Sequence, residues 1–405
     1  MMYISALLII APRSVVAYVF YFLASFCLIK ISFKSLIFVF GYVVFTSLAL
    51  AVSSLSGKVS VTAYLIEMYL FIPMVLFLLD PIRSNANTLS IIRLISVGLC
   101  LLSVANMMTL GFPARLPYIH YLPDAYGGLY GLGGAKVVTV LGFLALFAEL
   151  YQKDKSKLYI ILGILNFIVP NYLLGVFCGF LALGVIFVTN LRFVLLMSLP
   201  GVAVLMYALS RLSGIDNTIA EDFGFLPKIY AYYKIFEVYV ENPHLILSGV
   251  GLGQYASTSA LWASDYLKEI SSHGIPNIPG FFMSSYHDIY LGEVLSILSD
   301  NFWALSSSFN KPYTSLATMF IENGFLFTFL FLVLIKRKVF MMFPGRFGFS
   351  LFVFILSLFL LDTWHDSLWL GYMLILIKGI PRNASIQKDT VNYSRFAKMR
   401  NNNRC

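Results

Sequence analysis

The 405-residue chain carries little charge, because Asp, Glu, Lys and Arg together make up only 12% of it. A typical soluble domain carries about twice that fraction. Hydrophobic residues reach 59%, and the mean hydropathy is +0.84. So much apolar surface does not fit inside one buried core. The composition therefore excludes an ordinary soluble protein and favours an integral membrane protein.

Cysteine is also scarce. None of the four cysteines forms the Cys-x-x-Cys pair of a redox or zinc site. Three of them fall within apolar runs, where a small buried side chain is their usual role. The chain also lacks an Asp-x-Asp motif or a comparable cluster for a divalent ion. We therefore expect no disulfide framework, no metal and no cofactor. The cysteines are Cys27, Cys100, Cys178 and Cys405.

Long apolar runs are what the sequence does contain. A helix needs about 20 apolar residues to cross the hydrocarbon core of a bilayer. Eleven segments are candidates, with a range of ten to twelve. The sequence therefore predicts an all-α, polytopic bundle of transmembrane helices. The predicted spans are 14–29, 35–53, 61–79, 89–110, 137–151, 158–169, 172–189, 193–209, 314–335, 347–361 and 367–380.

Basic residues predict the orientation of the bundle, because cytoplasmic connections are rich in Lys and Arg. The bias is strongest in the second half, where Lys336, Arg337 and Lys338 share one connection and a basic tail follows at 381–405. We therefore expect the C-terminus in the cytoplasm. The net charge of +9 is attributed to this orientation rather than to nucleic-acid binding.

This orientation divides the chain into four parts. Residues 1–209 form an N-terminal transmembrane bundle with an outer loop at 111–136, and 314–380 form the C-terminal transmembrane helices. Between them lies a large outer loop, 210–313, rich in Tyr, Phe, Leu and Ile. Such a loop can bury surface, so it is not a disordered linker. The tail, 381–405, is the fourth part.

Two stretches of the large loop have helical periodicity, 228–242 before Pro243 and 286–300. Neither is apolar enough to span, so we expect amphipathic helices near the outer interface or over a cavity. Alternating glycines lie between them, at Gly249, Gly251 and Gly253.

The glycine spacing matches neither a dinucleotide fingerprint nor a phosphate loop. Glycine allows positive φ and close backbone approach. The amides of such a turn are candidates for binding an anionic group. A tight turn that packs the loop onto the helices is the structural alternative.

Two stretches resemble the family of O-antigen polymerases and ligases. In 228–255 a basic residue begins an amphipathic helix, Pro243 ends it, and a Gly-Val-Gly-x-Gly turn follows. In 311–327 a polar cluster leads to Glu322-x-Gly324 within the next membrane helix. The order of parts is also similar: many helices, a long outer loop, a few helices and a basic tail.

The resemblance implies a metal-independent membrane glycosyltransferase of the bacterial inner membrane, with the large loop in the periplasm. It would polymerise undecaprenyl-pyrophosphate-linked repeat units into O-antigen or a related surface polysaccharide. The partners would be the lipid-linked glycan donor and acceptor and the membrane lipids, with a chain-length regulator as a further candidate and no nucleic acid.

Two positions depart from the family pattern. Lys228 stands where members typically have Arg, and Lys lacks the bidentate fork of Arg. Tyr313 and Thr314 stand where ligase-like members have a His-Asn pair. The second departure favours the polymerase over the ligase and leaves the general base unassigned.

The chemistry of this family defines the candidate site residues. A diphosphate leaving group needs cations or amides that stabilise its developing charge, and the acceptor hydroxyl needs a base. Interfacial anchoring, a solvated face or a satisfied polar group is the structural alternative for each residue. The candidates for binding the pyrophosphate are Arg115, Arg211, Lys228, Lys234, Gly249, Gly251 and Gly253. The catalytic candidates are His287, Asp288, Glu293 and Glu322, with His273 as a further loop histidine.

Two other functions stay open. A flippase or other transporter of lipid-linked oligosaccharides would not be an enzyme, and it usually shows internal repeats and charges along several spans. Here the intramembrane charges are Glu67, Arg93, Glu149 and Glu322. An O-antigen ligase would instead transfer the finished glycan to the lipid A core.

Overall fold

The computed structural model describes residues 15–79, 87–109, 134–170, 172–187, 227–267, 280–299 and 312–380. This part of the chain forms fourteen α-helices. They are α1 Val15–Leu28, α2 Phe33–Ser56, α3 Val61–Leu79, α4 Thr88–Thr109, α5 Gly134–Tyr151, α6 Lys157–Ile168, α7 Leu173–Phe187, α8 Pro227–Glu241, α9 Leu245–Ser248, α10 Thr258–Ala263, α11 Ser285–Ser299, α12 Ser315–Met342, α13 Arg346–Leu361 and α14 Leu368–Lys378.

Four of these helices, α2, α3, α4 and α12, are long and apolar enough to cross a bilayer. Helix α2 shows the clearest lipid-facing surface, with Phe33, Phe40 and Leu55 exposed by 78%, 70% and 87%. A continuous apolar surface of this kind is unfavourable in water and favourable in lipid. The all-α fold class is therefore confirmed, and the helices are those of a membrane protein.

The predicted spans agree well with the helices of the described part. Ten of the eleven predicted segments coincide with helices, and the remaining one, 193–209, lies outside the described residues. The number of eleven spans and the periplasmic position of 210–313 stay predictions. Most of the loop 111–136 and the tail 381–405 also lie outside the described residues.

Helix α14 occupies the centre of the bundle. It is apolar on every side, and all of its residues from Leu368 to Ile377 are buried, as expected for a helix surrounded by others. It packs against α1, α3, α4 and α5. Gly371 permits the closest of these approaches, because a Cβ at this position would lie 2.9 Å from the Cβ of Pro73 in α3.

Two of the intramembrane charges neutralise each other. The Arg93 guanidinium of α4 donates to both carboxylate oxygens of Glu149 in α5, at 2.7 and 3.1 Å. The Ser156 amide, at the start of α6, donates to the same carboxylate at 2.8 Å. A bidentate pair of this kind joins α4 to α5 and offsets the cost of placing charge among apolar helices.

Both predicted helices of the large loop are present, as α8 and α11. Helix α8 ends before Pro243 as predicted and packs along α12. Its Tyr239 hydroxyl donates to the Phe320 carbonyl at 2.6 Å, and its Tyr232 hydroxyl donates to the Leu360 carbonyl of α13. These bonds hold α8 against the ends of two membrane helices.

The apolar stripe of α8 faces away from the protein. Tyr233, Phe236 and Val240 are exposed by 56%, 70% and 78%. Their spacing places them on one face of the helix. An exposed apolar stripe on a helix that lies against a membrane bundle is typical of an interfacial helix, which agrees with the prediction for this segment.

Candidate functional site: a glycine turn on a broken helix

Helix α12 is interrupted at Gly324, where φ is +77° and ψ is 169°. A break of this kind removes helical hydrogen bonds, and buried carbonyl groups then need other donors. Four consecutive carbonyls before the break have such donors. The pairs are Met319 with the Thr328 hydroxyl at 2.8 Å, Phe320 with the Tyr239 hydroxyl at 2.6 Å, Ile321 with the Val250 amide at 2.8 Å and Glu322 with the Gly251 amide at 3.0 Å.

The glycine turn, defined here as residues 249–253, provides two of these donors. Gly249, Gly251 and Gly253 all have positive φ, at 67°, 93° and 74°. A Cβ at Gly249 would lie 2.3 Å from the Glu322 carbonyl oxygen, so only glycine permits this approach. The motif therefore forms the tight turn that was the structural alternative to an anion site. This turn packs the loop onto the helices.

The amides of the turn bind acceptors within the chain. The Gly249 amide donates to the Leu245 carbonyl at 2.8 Å, and the Gly251 amide donates to the Glu322 carbonyl. The Gly253 amide donates to the Glu322 carboxylate at 2.9 Å. Of the three glycine amides, only that of Gly253 binds an anion in this structure, and this anion is the carboxylate of Glu322.

The Glu322 side chain is fully buried beneath the turn. Its Oε2 accepts from Gly253, and its Oε1 accepts from the amides of Tyr255, Ala256 and Ser257 at 2.9, 3.2 and 3.2 Å. Four amides around one carboxylate form an anion-binding nest that is filled from within the protein. Glu322 thus joins the two stretches of sequence that resemble the polymerase family.

A second buried polar group lies beside the nest. Glu67 of α3 accepts from the amide and hydroxyl of Ser259 at 3.2 and 2.9 Å. Asp366 accepts from the Thr258 amide at 2.6 Å. His365 is the third member, and one ligand atom from each of Glu67, His365 and Asp366 lies within 4.8 Å of the others. These are the described residues that could hold a metal ion.

A cation lies at the nearby end of α12, where the sequence offered no specific candidate. The Lys136 Nζ is 3.5 Å from the Asp362 carboxylate and 5.1 Å from the centre of the Trp364 ring. Tyr172 also donates to Asp362, at 2.7 Å. The sequence does not single out Lys136, because its partners Asp362 and Trp364 lie more than 200 positions away.

The predicted catalytic histidine, His287, is buried and bonded on both sides. Its Nδ1 lies 2.5 Å from the Tyr255 carbonyl oxygen, and its Nε2 lies 2.9 Å from the Ser264 hydroxyl. In this arrangement the ring holds α11 against the segment that follows the glycine turn. Asp288 and Glu293 are exposed, and Asp288 accepts from the Tyr266 hydroxyl at 2.7 Å.

The predicted cations differ in their surroundings. Lys234 is 8% exposed and pairs with Glu237 at 2.6 Å, above the ring of Tyr230. Burial lowers the pKa of Lys234, but the hydrogen bonds to Glu237 and Tyr230 outweigh it and leave the pKa raised. Lys228 lies in the first turn of α8, and its side chain is outside the description. Arg115, Arg211 and His273 also lie outside the described residues.

The buried state of His287 predicts an acid-sensitive fold. Burial lowers the pKa of His287 from its usual 6.5, so below that pH the unfolded chain binds more protons than the folded one. The free energy of unfolding should therefore fall as the pH drops from about 7 to about 5. We expect the melting temperature of the His287→Gln variant to fall less than that of the wild type over the same pH range.

The measurement is thermal unfolding of the detergent-purified protein across that pH range. The matched control is His244→Gln, because His244 is an exposed histidine of the same loop. An unchanged pH dependence in the His287 variant would contradict the prediction.

The comparisons with known proteins add no relative. No protein-family model, curated protein or solved structure matches this chain. The resemblance to O-antigen polymerases and ligases therefore rests on the residues of the two stretches alone.

Proposed function

We propose that the protein is a polysaccharide polymerase that extends undecaprenyl-pyrophosphate-linked repeat units at the outer face of the bacterial inner membrane. The observation that supports it is the contact between Gly253 and Glu322, which are 69 positions apart. The two stretches that resemble the family, 228–255 and 311–327, meet at this contact. The parts of a functional motif that are distant in the sequence are expected to meet in the folded protein, as these two stretches do.

The proposed reaction is a displacement at the anomeric carbon of the donor glycan. The hydroxyl of the acceptor repeat unit attacks this carbon, and the bond from it to the undecaprenyl diphosphate oxygen breaks. A glycosidic bond forms, the hydroxyl proton passes to a base, and undecaprenyl diphosphate leaves with the bonding electron pair. Cations near the leaving oxygen lower the barrier, because they stabilise its developing charge.

The described residues suggest where these roles lie. Lys136 and the first half of α8 both adjoin the start of α12. Thr314 donates there to the Tyr232 hydroxyl at 3.2 Å, and the Ser315 amide donates at 2.9 Å to the carbonyl of Asp362, which pairs with Lys136. This end of the bundle brings Lys136 and α8, which begins next to Lys228, to one place. Lys228 is the stronger candidate to hold the diphosphate, because Asp362 already pairs with Lys136.

The predicted acidic residues also differ in the roles that their surroundings allow. Asp288 and Glu293 are exposed carboxylates on α11 and can accept a proton from a substrate hydroxyl. Glu322 is fully buried and already accepts four amides. We therefore assign Glu322 a positioning role beneath the turn.

The two lysines of α8 provide a test of the site. We expect Lys228→Met to reduce chain elongation by about 100-fold, since that is the scale of losing one group that stabilises transition-state charge. Lys234→Met should leave elongation within about twofold, because Glu237 already neutralises that lysine. The measurement is the ladder of glycan lengths on a gel, in a strain deleted for this gene and complemented with each variant. Equal effects of the two substitutions would contradict the assignment of Lys228.

A transporter of lipid-linked oligosaccharides is the second candidate function. The observation that favours it is the break of α12 beside buried carboxylates, because transporters often place ion and substrate sites at discontinuous helices. The gel also separates these functions. Loss of a polymerase leaves single repeat units attached, loss of a ligase leaves none, and loss of a flippase stops assembly before export.

A further inference from the structure

The group formed by Glu67, His365 and Asp366 lies outside the roles assigned above. Glu67 comes from the second turn of α3, and the other two come from the turn between α13 and α14. Exposure is 0% for Glu67, 0% for His365 and 3% for Asp366. Residues about 300 positions apart thus bring two carboxyl groups and one imidazole together in the interior.

The imidazole of His365 is what distinguishes this group from an ordinary polar contact. Neither its Nδ1 nor its Nε2 has a hydrogen-bond partner among the described residues, and the same holds for Glu67 Oε1. Leaving a buried polar atom unsatisfied costs about 1–3 kcal/mol. The other buried histidine, His287, has both nitrogens bonded. Both ring nitrogens of His365 and one carboxylate oxygen of Glu67 are therefore without a partner, and one ligand atom of each residue lies within 4.8 Å of the other.

The two carboxyl groups add a requirement for positive charge. A carboxylate oxygen of Glu67 lies within 4.8 Å of one of Asp366, and two buried carboxylates this close are not both ionised unless a proton or a cation lies between them. A shared proton would satisfy the carboxyl groups but would leave both nitrogens of His365 without a partner. A metal ion satisfies the oxygen atoms and one nitrogen at the same time.

The donor set indicates the class of ion. Two carboxylate oxygens and one imidazole nitrogen suit Zn²⁺ or Mn²⁺ better than Mg²⁺ or Ca²⁺, which prefer oxygen alone. Two carboxylates also balance the charge of a divalent ion. A tetrahedral ion would place the ligand atoms about 3.3 Å apart, so the side chains must close by about 1.5 Å at most from their separations within 4.8 Å.

Outer hydrogen bonds already hold the side chains of the two acidic residues and the backbone of His365. The Ser259 hydroxyl holds Glu67, the Thr258 amide holds Asp366, and the Ser315 hydroxyl accepts from the amide of His365 at 3.0 Å. Such partners orient metal ligands in many proteins. We propose that Glu67, His365 and Asp366 bind one divalent transition-metal ion, which joins α3, the turn before α14 and the segment after the glycine turn.

The test is metal binding by the full-length protein in detergent. After treatment with a chelator, the wild-type protein should take up about one Zn²⁺ per chain by elemental analysis, and about one Mn²⁺ by electron paramagnetic resonance. Either ion should raise the melting temperature. His365→Gln and Asp366→Asn should weaken binding by more than about tenfold. The control is His244→Gln, because His244 is exposed and lies outside the group, so binding should be unchanged.

Two outcomes would overturn the proposal. One is that the wild-type protein takes up neither ion at a large excess, and this outcome stands even if every variant fails to fold. The other is that a folded His365→Gln variant binds as tightly as the wild type. Neither outcome depends on glycan synthesis, so a wild-type protein that polymerises glycan but takes up neither ion would refute this site and leave the proposed function intact.

Discussion

Gly249→Ala is expected to abolish polymer formation and to destabilise the protein by about 3 kcal/mol or more. The residue has a φ of +67°, and a Cβ there would lie 2.3 Å from the Glu322 carbonyl oxygen and 2.6 Å from the Asn323 amide nitrogen. Both atoms belong to backbone, so the turn itself must move away from α12. The bonds from Gly251 and Gly253 to Glu322 would then be lost.

The effect of Gly249→Ala is measured by thermal unfolding in detergent and by the ladder of glycan lengths in a complemented deletion strain. Gly98→Ala is the matched control. A Cβ at Gly98, in the middle of α4, would meet no atom within 4 Å, and alanine favours a helix over glycine. That variant should be as stable as the wild type or more so. Equal melting temperatures and equal glycan ladders for the two variants would show that the turn does not pack on α12 as described.

Glu322→Gln is expected to have the second largest effect, with a loss of about 3 kcal/mol in stability and no long glycan chains. The carboxylate accepts four amides with two oxygens. Glutamine replaces one oxygen with an NH₂ group, which is itself a donor and opposes the amide donors that face it. The shape of the side chain is kept, so the loss reports the hydrogen bonds rather than the packing.

The control for this substitution is Glu293→Gln, because Glu293 is exposed on α11. Its melting temperature should match that of the wild type, even if elongation slows through loss of a candidate base. A Glu322→Gln variant that melts with the wild type would mean that the carboxylate does not hold the loop. The pair therefore separates a positioning residue from an acid–base residue.

The helices were largely predictable, because a continuous apolar run determines both their position and their burial. The span predicted at 61–79 agrees with α3 at both ends. The span predicted at 314–335 is shorter than α12, which continues to Met342 through Lys336, Arg337 and Lys338. Lys and Arg are good helix formers, so a helix can continue past the end of the apolar run that predicts it.

The site was predictable only in part. The glycine spacing indicated positive φ and close backbone approach, and the structure confirms both. Local sequence does not reveal whether a polar side chain is already bonded, so His287 and Lys234 looked like free groups. The cluster of Glu67, His365 and Asp366 arises from packing between distant helices, and no local pattern indicates it.

The central claim is that the glycine turn docked on the broken helix forms part of a polysaccharide polymerase. The most direct test places purified protein in liposomes with an undecaprenyl-pyrophosphate-linked repeat unit from the same organism. We predict a ladder of lengthened lipid-linked glycans together with released undecaprenyl diphosphate, and neither product with Glu322→Gln. A folded wild-type protein that leaves the repeat unit at its original length would contradict the account.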